Sequence, residues 1–551
     1  MGAEDLAMRA CLKKYKPNLL FGCLFAFFML LPDFVMEQVR TFIHYNFDPA
    51  FVFALVVFGF FLSLGGKALF CIVMLFLLGI QLIQVNHIAY FGQPINPTDI
   101  SKVFKEFGEV VETGMASLRS VGFVTPMLLV CFGVLFFVFF KYRRLWGFSW
   151  FAVLAVVVAL GVKPERAMRK SLKHFLPAEA RYSLHNSLNA FSYYFVKEHL
   201  TENVEDMIPA GFYKPYVVSE TQRETPRLVF LIMGESTSSD EMHVLGGREN
   251  TTPKLDKLVE NPKFQAFHAY SGAVSTHAAL PIFFNVMREP GNLAPIKDKT
   301  ANLFRLAKQA GYATHFISVQ DAKQTHEIGT HFIDDVVTSE NIDDSCLDKH
   351  EDCLLDLLKQ RDLRQGKHFI VLNFRNTHTP YEKNYSHRKA EFSVFPTTSK
   401  KRTKFQQNAY RNAVLYLDSV IADLFGFFKS LDGGRGVFAM TSDHGQLLGR
   451  DGLFGHNIMR SDVAAVPFLF YSDALPPLER KAWTHYEIGK LFVSLFGYRL
   501  NNPNERDNSF FIHGNNLYEE YAFLNITRQP DGTMKSGDIL FLKQYFQGKG
   551  K

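Results

Sequence analysis

The chain reads as two architectures in series: an N-terminal all-α membrane domain of five helices, then an α/β domain on a mostly parallel sheet. Three observations lead there. The long apolar runs are gathered before residue 165. Beyond residue 220, short apolar runs alternate with helix-patterned segments. Several of those short runs end on carboxylate or imidazole side chains, and sites gather at the carboxyl ends of strands in such sheets. The 551 residues are enough for two or three domains. The expected division is a membrane domain over 1–162, a bridging helix and linker along the membrane over 163–219, and a catalytic domain over 220–551.

The five spans are read at about 17–36, 50–65, 68–86, 122–140 and 145–162, since a crossing helix needs roughly 20 apolar residues. Many of the 56 Phe crowd this region, as in "FGCLFAFFML" and "GVLFFVFF". The first run lacks a small-residue cleavage site and is followed by four more, so it is not read as a cleaved signal. Orientation follows the cations. Arg9, Lys13, Lys14 and Lys16 precede the first span, Lys67 sits in the turn between the second and third, and Lys141, Arg143 and Arg144 follow the fourth. All belong on the cytoplasmic side, which puts residues 163 onward on the far side. The basic segment "KPERAMRKSLKH" (163–174) runs against that bias and is read as a helix lying along the membrane. A net charge of +6 suits an anionic membrane surface. No arginine-rich or other nucleic-acid motif accompanies it, so nucleic acid is not an expected partner. Only Cys346 and Cys353 lie beyond the membrane region. In an exported domain this pair is expected to close a small disulfide loop, with a metal site involving His350 as the alternative.

In the second half, "RLVFLIMG" (227–234), "ATHFISV" (313–319), "HFIVLNF" (368–374), "GVFAMTS" (436–442) and "VPFLFYS" (466–472) are read as strands. Continuous apolar runs suit strands covered on both faces. Segments 300–311 and 413–431 are read as helices, and "PTTSKKRTK" (396–404) as an exposed loop. The first strand runs into Glu235, and the 436–442 strand into Asp443 and His444. "RNTHTPY" after the 368–374 strand carries His378, and His456 falls in a glycine-rich turn. Asp, Glu and His without thiolates suit a catalytic Zn²⁺ site, with Mn²⁺ as the alternative. For a nucleophile, "SGAVSTHAALP" (271–281) offers Ser271, Ser275 and Thr276 ahead of a helical stretch. A hydroxyl there either caps the helix or carries a phosphoryl group held by the amide dipoles. Ser236, Ser238 and Ser239 compete on composition.

These segments together resemble the phosphoethanolamine transferases of Gram-negative bacteria, the membrane-anchored branch of the alkaline phosphatase/sulfatase superfamily that includes the colistin-resistance enzymes. The likeness lies in "MGESTSSDEMHVLGGRENTTPKLD" (233–256), "STHAALP", "NTHTPY" and "SDHGQLLGRDGLFGHN". It implies an alkaline-phosphatase/sulfatase-like periplasmic domain and an inner-membrane anchor. It further implies that Glu235, Asp443, His444 and Thr276 bind zinc. Thr276 is also the implied nucleophile, and Ser275 is the alternative one residue away. His378 and His456 would bind a second zinc or the phosphoryl group, or protonate the leaving alcohol. The donor it implies is phosphatidylethanolamine and the acceptor lipopolysaccharide. The loop at 87–110 is expected to contact the donor head group through Asn96, Thr98 and Asp99, or else these residues cap a helix.

Two departures stand out. The family's frequent Glu after Asp-His-Gly is Gln446. The lipid A–modifying members carry several disulfides, one flanking the nucleophile, where this chain has a single Cys pair. The core oligosaccharide is therefore the expected acceptor rather than lipid A. A phosphoglycerol transferase, a membrane-tethered phosphatase or sulfatase, and a non-catalytic scaffold are the competing readings.

Overall fold

The computed structural model describes residues 3–39, 45–91, 94, 95, 97, 100, 124–142, 150–169, 175, 181–197, 203–399, 402–451, 453–506, 508–518 and 521–547. The chain divides into two compact units, residues 1–201 with 450–454, and residues 202–449 with 455–551.

The first unit is helical. Its described helices are α1 (Ala3–Val39), α2 (Pro49–Ser63), α3 (Lys67–Phe91), α4 (Val124–Tyr142), α5 (Trp150–Arg169) and α6 (Ser183–Lys197). The five expected spans fall on α1 to α5. Three stretches, Lys14–Gln38, Lys67–Ile88 and Thr125–Tyr142, are long and apolar enough to cross a bilayer. The 15 residues of α2 reach about 22 Å at 1.5 Å per residue, short of the ~30 Å hydrocarbon core. The apolar run of α5 gives way to Lys163, Glu165, Arg166 and Arg169. The Phe-rich composition finds its use here: Phe21, Phe25, Phe70, Phe132 and Phe139 are all buried, and Phe70 stacks on Phe139 with centroids 3.6 Å apart. Polar ties fix the helices against one another. Asn18 donates to Ser63 Oγ at 2.9 Å, and the Ser183 N–H at the start of α6 donates to Asp33 of α1 at 3.1 Å. In apolar surroundings such bonds are stronger than in water.

The basic segment differs from its reading as a separate helix. Residues 163–169 continue α5, because Lys163 is tied to α6 through Asn189 Oδ1 (2.8 Å) and the His185 ring (2.7 Å). Residues 170–174 lie outside the described residues, as do Asn96, Thr98 and Asp99 of the 87–110 loop.

The second unit is built on an eight-stranded sheet. Its strands are β1 (Leu228–Gly234), β2 (Phe264–Tyr270), β3 (Tyr312–Ser318), β4 (Asp335–Val337), β5 (Lys367–Asn373), β6 (Gly436–Ser442), β7 (Ala465–Ser472) and β8 (Trp483–Thr484). They lie in the order β8-β2-β7-β6-β1-β5-β3-β4. The centre, β6-β1-β5-β3, is parallel, whereas β7 runs antiparallel to both β2 and β6. The sheet is therefore mixed. Every residue of β1 and β6 is buried, as continuous apolar runs require when helices cover both faces. The helices are α7 (Thr276–Phe284), α8 (Leu303–Gln309), α9 (Asp352–Lys359), α10 (Arg402–Asp432) and α11 (His485–Leu495). On one face Leu228, Phe230, Ile232, Ile370, Leu372, Phe438 and Met440 pack against Tyr410, Leu417, Ile421, Leu424 and Phe428 of α10. On the other, Phe369 meets Phe304 of α8 and Phe492 of α11. Alternate side chains of one strand thus serve two helical layers.

All five expected strands are present. Residues 402–404 open α10 rather than extending a loop. The sequence reading missed β2, β4, β8 and a separate antiparallel sheet of Ser509–His513, Ala522–Arg528 and Met534–Phe541. Trp483–Thr484 and Asp335–Val337 are two and three residues long, Phe264–Tyr270 is interrupted by partly exposed positions and Met534–Phe541 has no fully buried residue, so hydrophobic runs do not reveal them. Cys346 and Cys353 form the expected disulfide.

Candidate active site and metal centre

The site follows from strand register. In the parallel pair β1–β6, Gly234 lies opposite Ser442. The next residues, Glu235 and Asp443, therefore leave the sheet side by side, and the Asp443 N–H donates to Gly234 O at 3.0 Å. His444 follows at once. Ligand atoms of Glu235, Asp443 and His444 all lie within 4.8 Å of one another, and all three residues are buried. Thr276 comes from elsewhere, as the first residue of α7. Its Oγ1 donates to Asp443 Oδ2 at 2.7 Å and lies 3.2 Å from Glu235 Oε2 and 3.2 Å from His444 Nε2. Ser275 does not join them: it is buried and its hydroxyl points to Asn515 O, 3.4 Å away. Successive side chains at a helix start diverge, so of the two hydroxyls Thr276 is the one that faces the cluster.

Each ligand-type group is aimed by neighbours. Asp443 Oδ1 accepts from the N–H groups of Ser236 (2.9 Å) and His444 (2.7 Å), which leaves Oδ2 for the site. His444 Nδ1 lies 3.0 Å from Gly445 O. A proton on Nδ1 satisfies that carbonyl and turns the lone pair of Nε2 toward Thr276. Glu235 Oε1 accepts from Ser236 Oγ at 2.9 Å. Ser236 itself has φ +58, a conformation that non-glycine residues seldom adopt and that clusters at functional sites. Two buried carboxylates and an imidazole lone pair converging on one hydroxyl form a hard, oxygen-rich donor set that fits Zn²⁺.

The two further histidines lie alongside. The His456 ring is centred 4.2 Å from His444 and 6.3 Å from His378. Gln446 holds His456, its Oε1 lying 3.0 Å from His456 Nδ1 while its Nε2 donates to Tyr381 Oη at 2.7 Å. The residue that departs from the family pattern is thus a neutral bridge between the 445–457 segment and the Tyr381 turn. Nδ1 of His378 is buried without a hydrogen-bond partner. Burial, and next the Arg375 charge, push the His378 pKa down to about 3, which keeps the ring neutral and its lone pair free for a ligand. Thr377 donates to Glu235 O, tying the His378 turn to the first ligand. Thr377 and Tyr381 were not legible in the sequence as site residues; Ser236 stood out there only as a competing hydroxyl, and Gln446 only as a departure from the family pattern.

Residues 227–497 match the Sulfatase family model. Over 256 residues the chain is 28% identical to a Kdo(2)-lipid A phosphoethanolamine 7''-transferase of Salmonella typhimurium, covering 44% of each protein. It is 25% identical over 244 residues to the phosphoethanolamine transferase EptC of Escherichia coli K12, covering 40% of each.

The chain carries a Sulfatase-family domain and is similar to phosphoethanolamine transferases.

It matches less than half the length of these curated relatives. The fold likeness reaches further. The integral membrane lipooligosaccharide phosphoethanolamine transferase A of Neisseria meningitidis aligns over 88% of this chain and 95% of its own, with a TM-score of 0.53 and 16% identity. At that identity the likeness is one of fold.

Proposed function

We propose that the chain transfers phosphoethanolamine from phosphatidylethanolamine to lipopolysaccharide through a covalent phosphothreonine at Thr276. The observation that carries the reading is Thr276 Oγ1 at 2.7 Å from Asp443 Oδ2, inside the Glu235–Asp443–His444 cluster. Glu235, Asp443, His444 and Thr276 would hold Zn²⁺, which supplies positive charge that lowers the pKa of a hydroxyl and neutralises a phosphoryl group. Thr276 Oγ gives up its proton and attacks the donor phosphorus. The phosphorus–oxygen bond to diacylglycerol breaks, and the departing oxygen takes up a proton. His378 and His456 sit beside the ligand cluster, placed to hold the phosphoryl oxygens or to hand over that proton. A hydroxyl or phosphate of the acceptor then attacks the phosphothreonine and frees Thr276, a ping-pong sequence. A second zinc at His378 and His456 is compatible with the buried, unpartnered Nδ1 of His378.

The donor is a lipid, and three helices among the described residues are long and apolar enough to span a bilayer. The Cys346–Cys353 disulfide fits an oxidising compartment. Both support an inner-membrane, multi-pass protein with its catalytic domain in the periplasm. For the acceptor we favour the core oligosaccharide over a lipid A phosphate, because the described disulfides number one where the lipid A–modifying members carry several. Mass spectrometry of lipopolysaccharide with and without the gene tests the proposal. An added phosphoethanolamine on the core is the expected result; placement on lipid A alone overturns the acceptor, and no mass difference overturns the function. Purified protein given phosphatidylethanolamine or phosphatidylglycerol separates this reading from a phosphoglycerol transferase, and diacylglycerol release without an acceptor product would mark a hydrolase.

A further inference from the structure

The eight-residue disulfide loop carries a buried carboxylate that the mechanism above does not use. Glu351 lies between Cys346 and Cys353, is 1% exposed, and is the residue immediately before α9. A side-chain oxygen at that position ordinarily caps its own helix. Glu351 makes no such bond. Its Oε1 instead accepts the N–H of Arg375 at 2.8 Å, 24 residues away. Arg375 opens the turn that ends at His378: the His378 N–H donates to Arg375 O at 2.8 Å. Asn384 closes the other side, donating to His378 O at 2.7 Å and accepting from Arg375 Nη1 at 3.0 Å. The main chain of residues 375–378 is therefore gripped from two sides. Glu351 is the grip that comes from outside the turn's own neighbourhood, and it is fixed in turn. The disulfide closes the loop, and Tyr416 of α10 accepts the Asp352 N–H at 3.1 Å and donates to Lys349 O at 3.3 Å. The His378 ring has no hydrogen-bond partner on Nδ1, which leaves the backbone that bears it as a main determinant of where the ring points.

We propose that Glu351 is a positioning residue for His378, its buried carboxylate fixing the 375–378 backbone so that the imidazole is aimed at the phosphoryl group carried by Thr276. This rests on the role of His378 in phosphoryl transfer proposed above. Glu351 touches neither Thr276 nor the ligand cluster, so it acts on turnover through geometry alone. Displacement of a reacting group by a fraction of an ångström to an ångström costs roughly 10- to 100-fold in rate.

The test uses the full-length protein in detergent with phosphatidylethanolamine as donor. Glu351→Ala is expected to lower kcat by roughly 10- to 100-fold while KM, zinc content and the thermal midpoint stay near those of the parent. Glu351→Gln keeps an acceptor oxygen for the Arg375 N–H and is expected to restore most of the rate. Parental kcat in Glu351→Ala overturns the proposal, as does a Gln variant as slow as the Ala variant. A loss of rate that merely tracks lost zinc or a collapsed thermal midpoint also overturns it. Should the parent transfer no phosphoethanolamine at all, the functional reading fails separately. The placement is then decided by diethyl pyrocarbonate labelling of His378, read by peptide mass spectrometry. Faster labelling in Glu351→Ala than in the parent and Glu351→Gln supports the clamp; equal rates overturn it.

Discussion

At the scale of single residues, the site turns on which hydroxyl faces the carboxylates. Thr276 does, and Ser275 is directed to Asn515 O instead. Thr276→Ala is therefore expected to lower transfer by roughly 10³-fold or more, the order seen when a nucleophile is removed, while Ser275→Ala costs far less. Equal losses in the two purified, zinc-loaded variants would contradict the assignment. The ligands predict a different signature. Asp443→Asn and His444→Ala should lose bound zinc together with activity, since each removes a donor from a buried three-residue cluster. Elemental analysis showing one zinc per chain in either variant would remove that residue from the ligand set. His456→Ala should keep the metal and lose turnover, because His456 is held by Gln446, outside the cluster.

At the scale of elements, the glycine of Asp-His-Gly shows how strand ends are kept close. A Cβ on Gly445 would lie 2.7 Å from Ala465 O and 3.1 Å from Val463 O. The Gly445 N–H meanwhile donates to Val463 O at 2.6 Å. The turn after β6 thus lies flush against the segment leading into β7, with no room for a side chain. Gly445→Ala has to push that turn away, and His444 with it. We expect destabilisation of about 1–3 kcal/mol, the usual range for an overpacked site, accompanied by weaker zinc retention during dialysis against a chelator. A variant with unchanged urea midpoint and unchanged zinc would show that the turn yields freely. The sequence displays the Asp-His-Gly order but not this reason for it, because the carbonyls concerned belong to another strand.

At the scale of the whole molecule, buried neutral histidines couple stability to pH. Burial pushes His485 and His513 down to about 4, and both are 1% exposed. His485 Nε2 lies 2.9 Å from Ser442 O, and His513 lies 2.9 Å from Tyr521 Oη and 3.2 Å from Arg288 O. Unfolded, a histidine titrates near 6.5. Between pH 6.5 and 4 the unfolded chain therefore binds more protons than the folded one, so stability is full above that window and falls as pH drops through it. Each ring contributes on the order of 1–3 kcal/mol to the loss. His513→Gln should lower stability at neutral pH but flatten its decline from pH 6.5 to 4, read as urea midpoints across the series. An unchanged slope would place the acid sensitivity in other groups.

The sequence by itself determined what is local. Apolar runs of span length, five buried strands with their periodicity, and ligand-type residues directly after strand ends all depend on near neighbours, so Glu235, Asp443, His444 and the Thr276 segment were legible. The disulfide was legible because its two cysteines stand seven apart. Only the tertiary structure decided the rest. The antiparallel course of β7, the C-terminal sheet, the turning of Ser275 toward Asn515 and the hydrogen bonds of Gln446 and Glu351 all depend on residues distant in the chain meeting in one register. The bond from Ser236 to Asp443 spans 207 positions and that from Thr276 to Asp443 spans 167. Such meetings are fixed by the packing of the sheet between its helical layers, where close-packed side chains admit one arrangement, and no local pattern records them.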